Sequence, residues 1–309
     1  MRSPPRAPFL SFSIKHNPEN RHTFLALLDA SAMLTVYENE EPESMTSWTQ
    51  IDQFMVCEKP APGEETSFKV SFDPNLEPSY NAVREGVPRD SLGIVVAAMN
   101  TARLWRTKVV SHDVSLGAGS SKEFYIAADL TGHRGLVRDT AWAPGSIRGF
   151  DICATVCQDG LLRVFEIRTP PKDGRKPRSI EYTKYPVTQA AVPARRVPEN
   201  GSRNGPSGIG AGLATVKLGS AENRQEGQSQ AGQVPHEVTE VAKLDAHRTA
   251  VWRVNFDDDG QMIGTTGDDG KVLLWRRQPN GSWIQSGELA MNRGGATPLE
   301  AHQGQPPIP

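Results

Sequence analysis

The sequence predicts an all-β fold, an incomplete β-propeller of about four blades. Three observations carry this expectation. Short stretches that alternate apolar and polar residues recur along the chain, separated by turn residues. The 28 Gly and 24 Pro among 309 residues fit many turns and few helices. Two stretches, opening at Gly132–His133 and at Ala246–His247, repeat one layout. They lie 114 residues apart, and setting aside the 68 residues of 169–236 leaves 46, close to the ~40–45 of a four-stranded propeller repeat.

The clearest unit is Ala246 to Trp275. Val251 to Phe256 alternates as a strand, DDDG at 257–260 turns, and Met262 to Thr266 is a second strand. GDDG at 267–270 is a tight hairpin in which Gly accepts positive φ, and Lys271 to Trp275 is a third strand. The order His247, Thr265, Asp269, Trp275 has the spacing of a WD (WD40) repeat. In that family Asp269 would accept a hydrogen bond from His247, the imidazole would bond Thr265, and the hydroxyl would meet the indole N–H of Trp275. Such a tetrad satisfies polar groups whose burial unpaired costs about 1–3 kcal/mol each, so it reads as a structural device and not as catalysis.

The remaining units follow in order. Residues 1–8 read as a disordered lead, and 9–168 as blades one to three. Blade one has strands at Phe9 to Lys15, Thr23 to Leu28, Leu34 to Tyr37 and Trp48 to Cys57, with Ser31 and Tyr37 where Asp and Trp are usual. Blade two opens at Thr66 to Phe72, and residues 73–91 form a long polar loop. Leu92 to Ala98 is an unbroken apolar run, as in a strand buried on both faces. Asn100 stands in the turn, and Ala102 to Trp105 and Glu123 to Leu130 complete the blade. Blade three has strands at Leu136 to Trp142, Ile152 to Cys157 and Leu161 to Ile167, with a partial tetrad of His133, Thr155, Asp159 and Phe165. Phe165 lacks the indole donor, which leaves at most a triad. Residues 169–236 are rich in Pro, Gly, Ser, Asn and Gln and predict a long disordered insert between the third and fourth strands of blade three. Residues 237–290 resume with the outer strand Glu237 to Leu244, then blade four with its outer strand Trp283 to Leu289, and 291–309 predict a disordered tail.

A formal net charge of −2 gives no global field toward nucleic acid or anionic membrane. Three cysteines, Cys57, Cys153 and Cys157, are too few for a disulfide framework, and the last two sit four apart on one strand, roughly 13 Å. A reducing compartment fits. No apolar run approaches the ~20 residues of a membrane span, and the start lacks the apolar centre of a signal peptide.

GHRGLVRDTAWAPGSIRGFDICATVCQDGLLRVFEI at 132–167 resembles the corresponding blade of the SEH-type nucleoporins, the Sec-thirteen homologues of the nuclear pore. AHRTAVWRVNFDDDGQMIGTTGDDGKVLLW is similar to that family's last blade, and LTVYENEEPESMTSWTQIDQF to its EP-containing stretch. The resemblance covers about 9–290, and the long insert before the last blade is shared. It implies a non-catalytic, open six-bladed propeller. An α-solenoid scaffold nucleoporin completes it with a blade supplied in trans, within the pore's Y-shaped coat complex. It further implies work in a vacuolar coat-like complex that regulates the TOR kinase pathway. The family's first blades are not in this sequence, so a chain lacking about two N-terminal blades, poorly soluble alone, is expected.

Other candidates have plainer readings. His133 and His247 lack zinc-site neighbours. Asp257, Asp258 and Asp259 lack EF-hand spacing, and GDDG precedes no helix that would make it a phosphate loop. Lys172, Arg175, Lys176, Arg178, Lys184, Arg195 and Arg196 read as a solvated linker, with a nuclear-import signal as the alternative. No catalytic residue, metal or cofactor is expected. The docking edge for a missing strand is expected at Phe9, Ser11, Ser13 and Lys15. Rival readings are a Sec-thirteen-like propeller of the COPII vesicle coat and a WD adaptor of a ubiquitin ligase.

Overall fold

The computed structural model describes residues 7–41, 43–44, 46–114, 117–145, 149–171 and 232–290. They form four antiparallel sheets of four strands, each ordered as in the sequence. Blade one contains β1 (Phe9–His16), β2 (Thr23–Asp29), β3 (Met33–Asn39) and β4 (Thr49–Met55). Blade two contains β5 (Phe68–Phe72), β6 (Gly93–Ala98), β7 (Thr101–Val114) and β8 (Gly117–Leu130). Blade three contains β9 (Val137–Trp142), β10 (Asp151–Cys157), β11 (Leu161–Arg168) and β12 (Glu237–Asp245). Blade four contains β13 (Val251–Phe256), β14 (Met262–Gly267), β15 (Lys271–Arg277) and β16 (Trp283–Ala290). The expected four-blade, all-β architecture is therefore present.

One backbone irregularity repeats in every blade. The third and fourth strands slip register by one residue at Val36/Tyr37, Leu104/Trp105, Val164/Phe165 and Leu274/Trp275. The extra residues on the fourth strands are Ile51, Ala127, Val241 and Ser286. Such bulges raise the local twist, and each lies beside the aromatic residue that marks the repeat.

Three apolar cores join neighbouring sheets. Leu28, Leu34, Val70 and Trp105 belong to the core between blades one and two. Leu104, Val137 and Phe165 fill the next, and Val156, Val164, Ile263 and Trp275 the third. β6, β9 and β10 are buried at every position, as sheets covered on both faces require. Among the described residues no fourth core links blade four to blade one. Accordingly β1 leaves Leu10, Phe12 and Ile14 exposed, and blade four leaves Ile284 and Leu289 exposed.

Polar contacts fix the register between the innermost strands. The Ser11 and Ser13 hydroxyls accept from the Val70 and Phe72 N–H groups, both at 3.1 Å. Asp139 accepts from Val254 N–H at 3.2 Å and lies 3.5 Å from Lys69 Nζ. Ser67 donates to the Val137 carbonyl at 2.6 Å.

Several boundaries differ from the sequence expectation. Ala7 and Pro8 belong to blade one, where the Pro8 carbonyl accepts from Ala30. The 73–91 stretch is not merely a polar loop: it holds helix α1 (Tyr80–Arg84), with Ala82 and Val87 buried. β7 and β8 run past the blade as a paired ribbon to Val114 and Gly117. Within 169–236, Thr169, Val234 and His236 are buried, while 172–231 and the tail from 291 lie outside the described residues.

With Phe12 65 % and Ile14 60 % exposed, the first blade presents an apolar strip to solvent. Replacing both by Ser is expected to reduce concentration-dependent association in size-exclusion chromatography. The unfolding free energy should stay within about 0.5–1 kcal/mol of the parent, the ordinary range for exposed positions.

Candidate functional site

In blade four, the β13–β14 and β14–β15 hairpins bring the four motif residues together. His247 Nδ1 lies 2.9 and 3.0 Å from the two Asp269 oxygens. Its Nε2 is 3.0 Å from Thr265 Oγ1, which also accepts from Trp275 Nε1 at 3.2 Å. A carboxylate can only accept, so Nδ1 carries the proton, Nε2 accepts from the Thr265 hydroxyl, and the hydroxyl oxygen receives the indole N–H. All four groups are thereby used. Partial burial works against the Asp269 charge, but hydrogen bonds from His247 and Lys271 N–H hold its carboxyl below the usual range. Gly267 makes room for the ring: a Cβ there would sit 2.8 Å from His247 Cγ and 3.0 Å from the Ala250 carbonyl.

Blade three departs from this pattern. His133 Nε2 lies 2.8 Å from Thr155 Oγ1, and Phe165 supplies only a ring, 6.2 Å away. Asp159 turns instead to Arg163, which donates from Nη2 at 2.7 Å and Nη1 at 3.3 Å. The expected triad is thus a His–Thr pair beside an Arg–Asp pair. The cause is Arg163, wholly buried at the position where blade four has Leu273. The signal was an arginine two residues before the aromatic. Burial and the Arg163 charge push His133 down to about 4, against the pull of Asp159. In blade one, Asp29 takes over the turn, accepting from the Ser31 hydroxyl and the Ser31 and Met33 N–H groups.

The expected docking residues are also redistributed. Ser11 and Ser13 bond β5, and Lys15 donates to the Asp73 carbonyl at 2.8 Å and to Asn75. The opposite alternation, Leu10, Phe12 and Ile14, faces solvent.

A buried charge cluster went unread in the sequence. Arg106 on β7 is fully buried and donates from Nη2 to Asp151 of blade three at 2.7 Å. Asp73, which follows β5, lies 3.8 Å from Nη1, and the guanidinium stacks 5.2 Å from the Trp142 ring. Gly93 lets them approach, because a Cβ would come within 2.9 Å of Trp142 and 3.2 Å of Arg106 Nη1. Burial and the neighbouring Asp151 charge push the Asp73 carboxyl up to about 6, although Arg106 and Lys15 pull it down.

A cleft of about 580 Å³ lies between the loop after blade one and the turns of blades two and three, lined in part by Cys57, Met99, Asn100, His133 and Gln158. Its Cys and His are not poised for acid–base or thiolate chemistry near neutral pH. Burial holds the Cys57 thiol at about 11, while His133 stays neutral. Among the described residues no cluster of His, Cys, Asp and Glu could hold a metal, and no helix is long and apolar enough to cross a membrane.

The family model for the WD domain, G-beta repeat, matches residues 238–276, the outer strand of blade three and most of blade four. The chain is 42 % identical to Nucleoporin SEH1 of Chaetomium thermophilum over 339 aligned positions, which cover 93 % of this chain and 63 % of the relative. The chain is similar to SEH-type WD-repeat proteins. Nucleoporin SEH1 of Saccharomyces cerevisiae is 25 % identical over 86 % of the chain, and that of Schizosaccharomyces pombe 26 % over 82 %. The chain spans 56 to 63 % of the length of these three relatives.

Two outcomes are expected from the tetrads. Thr265→Val leaves the Trp275 N–H and His247 Nε2 unpaired and should cost roughly 2–5 kcal/mol, whereas Thr155→Val strands one partner and should cost roughly 1–3 kcal/mol; urea unfolding measures both. Stability should also fall as pH drops from about 6.5 to 4, because an unfolded His binds a proton there that native His133 refuses. His133→Gln should reduce that slope, the buried His236 supplying a remaining part of the same sign.

Proposed function

We propose that this chain works as a non-catalytic scaffold of the nuclear pore complex. The observation that carries this is the 42 % identity to Nucleoporin SEH1 across 93 % of the chain. The geometry supports it: the His, Thr, Asp and Trp of blade four spend their polar groups on each other. Blade faces, edges and loops are left to do the work of recognition. The partner is an α-solenoid scaffold nucleoporin that lays a blade in trans against an open end of the arc. The strip Leu10, Phe12 and Ile14 at β1 is the surface proposed for it, replacing Ser11, Ser13 and Lys15, whose side chains serve β5. Unpaired apolar sheet surface is what strand or blade addition covers. Service in a vacuolar coat that regulates TOR signalling belongs to the same reading.

Co-expression with the α-solenoid nucleoporin of the same organism tests it. The two chains are expected to co-elute in size-exclusion chromatography, and Phe12→Asp with Ile14→Asp should separate them while blade four keeps its fold. Failure to co-elute, or capture by a COPII-coat solenoid instead, would overturn the reading.

A further inference from the structure

The long connection from β11 to β12 does not simply return to blade three. Its last residues cross to blade two. Val234 is buried with Ala82 and Val87 of the α1 loop. The Tyr125 hydroxyl on β8 holds both main-chain groups of Val234, accepting its N–H at 3.1 Å and donating to its carbonyl at 3.4 Å. His236 N–H donates at 3.1 Å to the carbonyl of Ala127, the extra residue of the blade-two bulge. The His236 ring then enters the charge cluster: its Nε2 lies 3.1 Å from Arg106 Nε. Arginine only donates, so Nε2 is the bare nitrogen, and Nδ1–H donates to the Val234 carbonyl at 2.8 Å. Burial and the Arg106 charge push this ring down to about 3, which keeps it neutral.

We propose that residues 232–236 are a clasp that fastens the return of the connection onto blade two, with His236 as the positioning residue that orients Arg106 toward Asp151. The guanidinium has to address His236 through Nε and Asp151 through Nη2 together. The neutral ring therefore sets the plane in which the blade-two to blade-three ion pair forms. The clasp works through one tautomer, and a proton on Nε2 removes the acceptor and sets two cations side by side.

Amide hydrogen exchange and the ¹⁵N–¹H signal of Arg106 Nε test this in the whole chain. The wild-type Nε–H should be slowly exchanging and the Val234 and His236 amides protected, with protection falling on acidification. In His236→Ala the Nε–H protection should be lost, and both amides should exchange at least tenfold faster while blade-four amides keep their rates. His236→Gln, which can still offer an acceptor, should restore much of the protection, and the acid dependence that remains should be that of Asp73 beside Arg106. Should His236→Ala not fold, Tyr125→Phe carries the test, with faster exchange confined to Val234 and His236. Wild-type amides at 234 and 236 without protection, or His236→Ala leaving the Arg106 signal unchanged, would overturn the proposal. So would equal acceleration in all four blades.

Discussion

The guanidinium of Arg106 touches no solvent, so its charge has to be answered inside the protein. Removing such an ion from water costs several kcal/mol, which good geometry and full hydrogen bonding must offset. The answering groups come from different places: Asp151 from blade three, Asp73 from the end of β5, and His236 from the returning connection. The charge is therefore settled only when blades two and three sit in one particular register. An apolar core by itself tolerates sliding of one sheet over another. Polar contacts between blades do not, and the Ser11, Ser13 and Asp139 bonds to neighbouring main-chain N–H groups apply the same constraint along the inner strands.

Each blade has two faces, and the arc has two ends. The strands β6, β9 and β10 of the middle blades are buried at every position, while β1 of blade one and β16 of blade four present apolar side chains to water. The exposed apolar side chains thus lie where the arc lacks a neighbouring blade. The polar residues that might be mistaken for a catalytic set are consumed in holding hairpins. Where the tetrad fails, as in blade three, a buried arginine takes the turn carboxylate instead.

Most of the fold was legible in the sequence. Alternation, with one unbroken apolar run at Leu92 to Ala98, places the sixteen strands, and the Gly132–His133 to Ala246–His247 spacing agrees with one blade plus an insert. What escaped was non-local. Arg106 looks like an ordinary strand arginine, and nothing adjacent to it announces that Asp151 and His236 will be brought alongside. The α1 loop reads as polar because Ala82 and Val87 are too few to show a period. Val234 and His236 were absorbed into the surrounding low-complexity composition, although two buried side chains are enough to anchor a segment. Alternation along β1 does not say which of its faces meets the next blade: Ser11, Ser13 and Lys15 turn to β5, and Leu10, Phe12 and Ile14 face solvent.

The register slip at Tyr37, Trp105, Phe165 and Trp275 carries a consequence for how this chain can change and still be itself. Only one of those four aromatics sits in a complete tetrad, yet the backbone performs the same step at each. The repeat is thus inscribed in main-chain pairing, with the side-chain motif as one of several ways to support it. A blade can drift through Tyr, Phe or Trp, and lose its histidine or its aspartate, without losing its place in the arc. Similarity judged by motif residues fades long before the geometry does, which is why a repeat profile meets chiefly the last blade of a chain that has folded the same way four times.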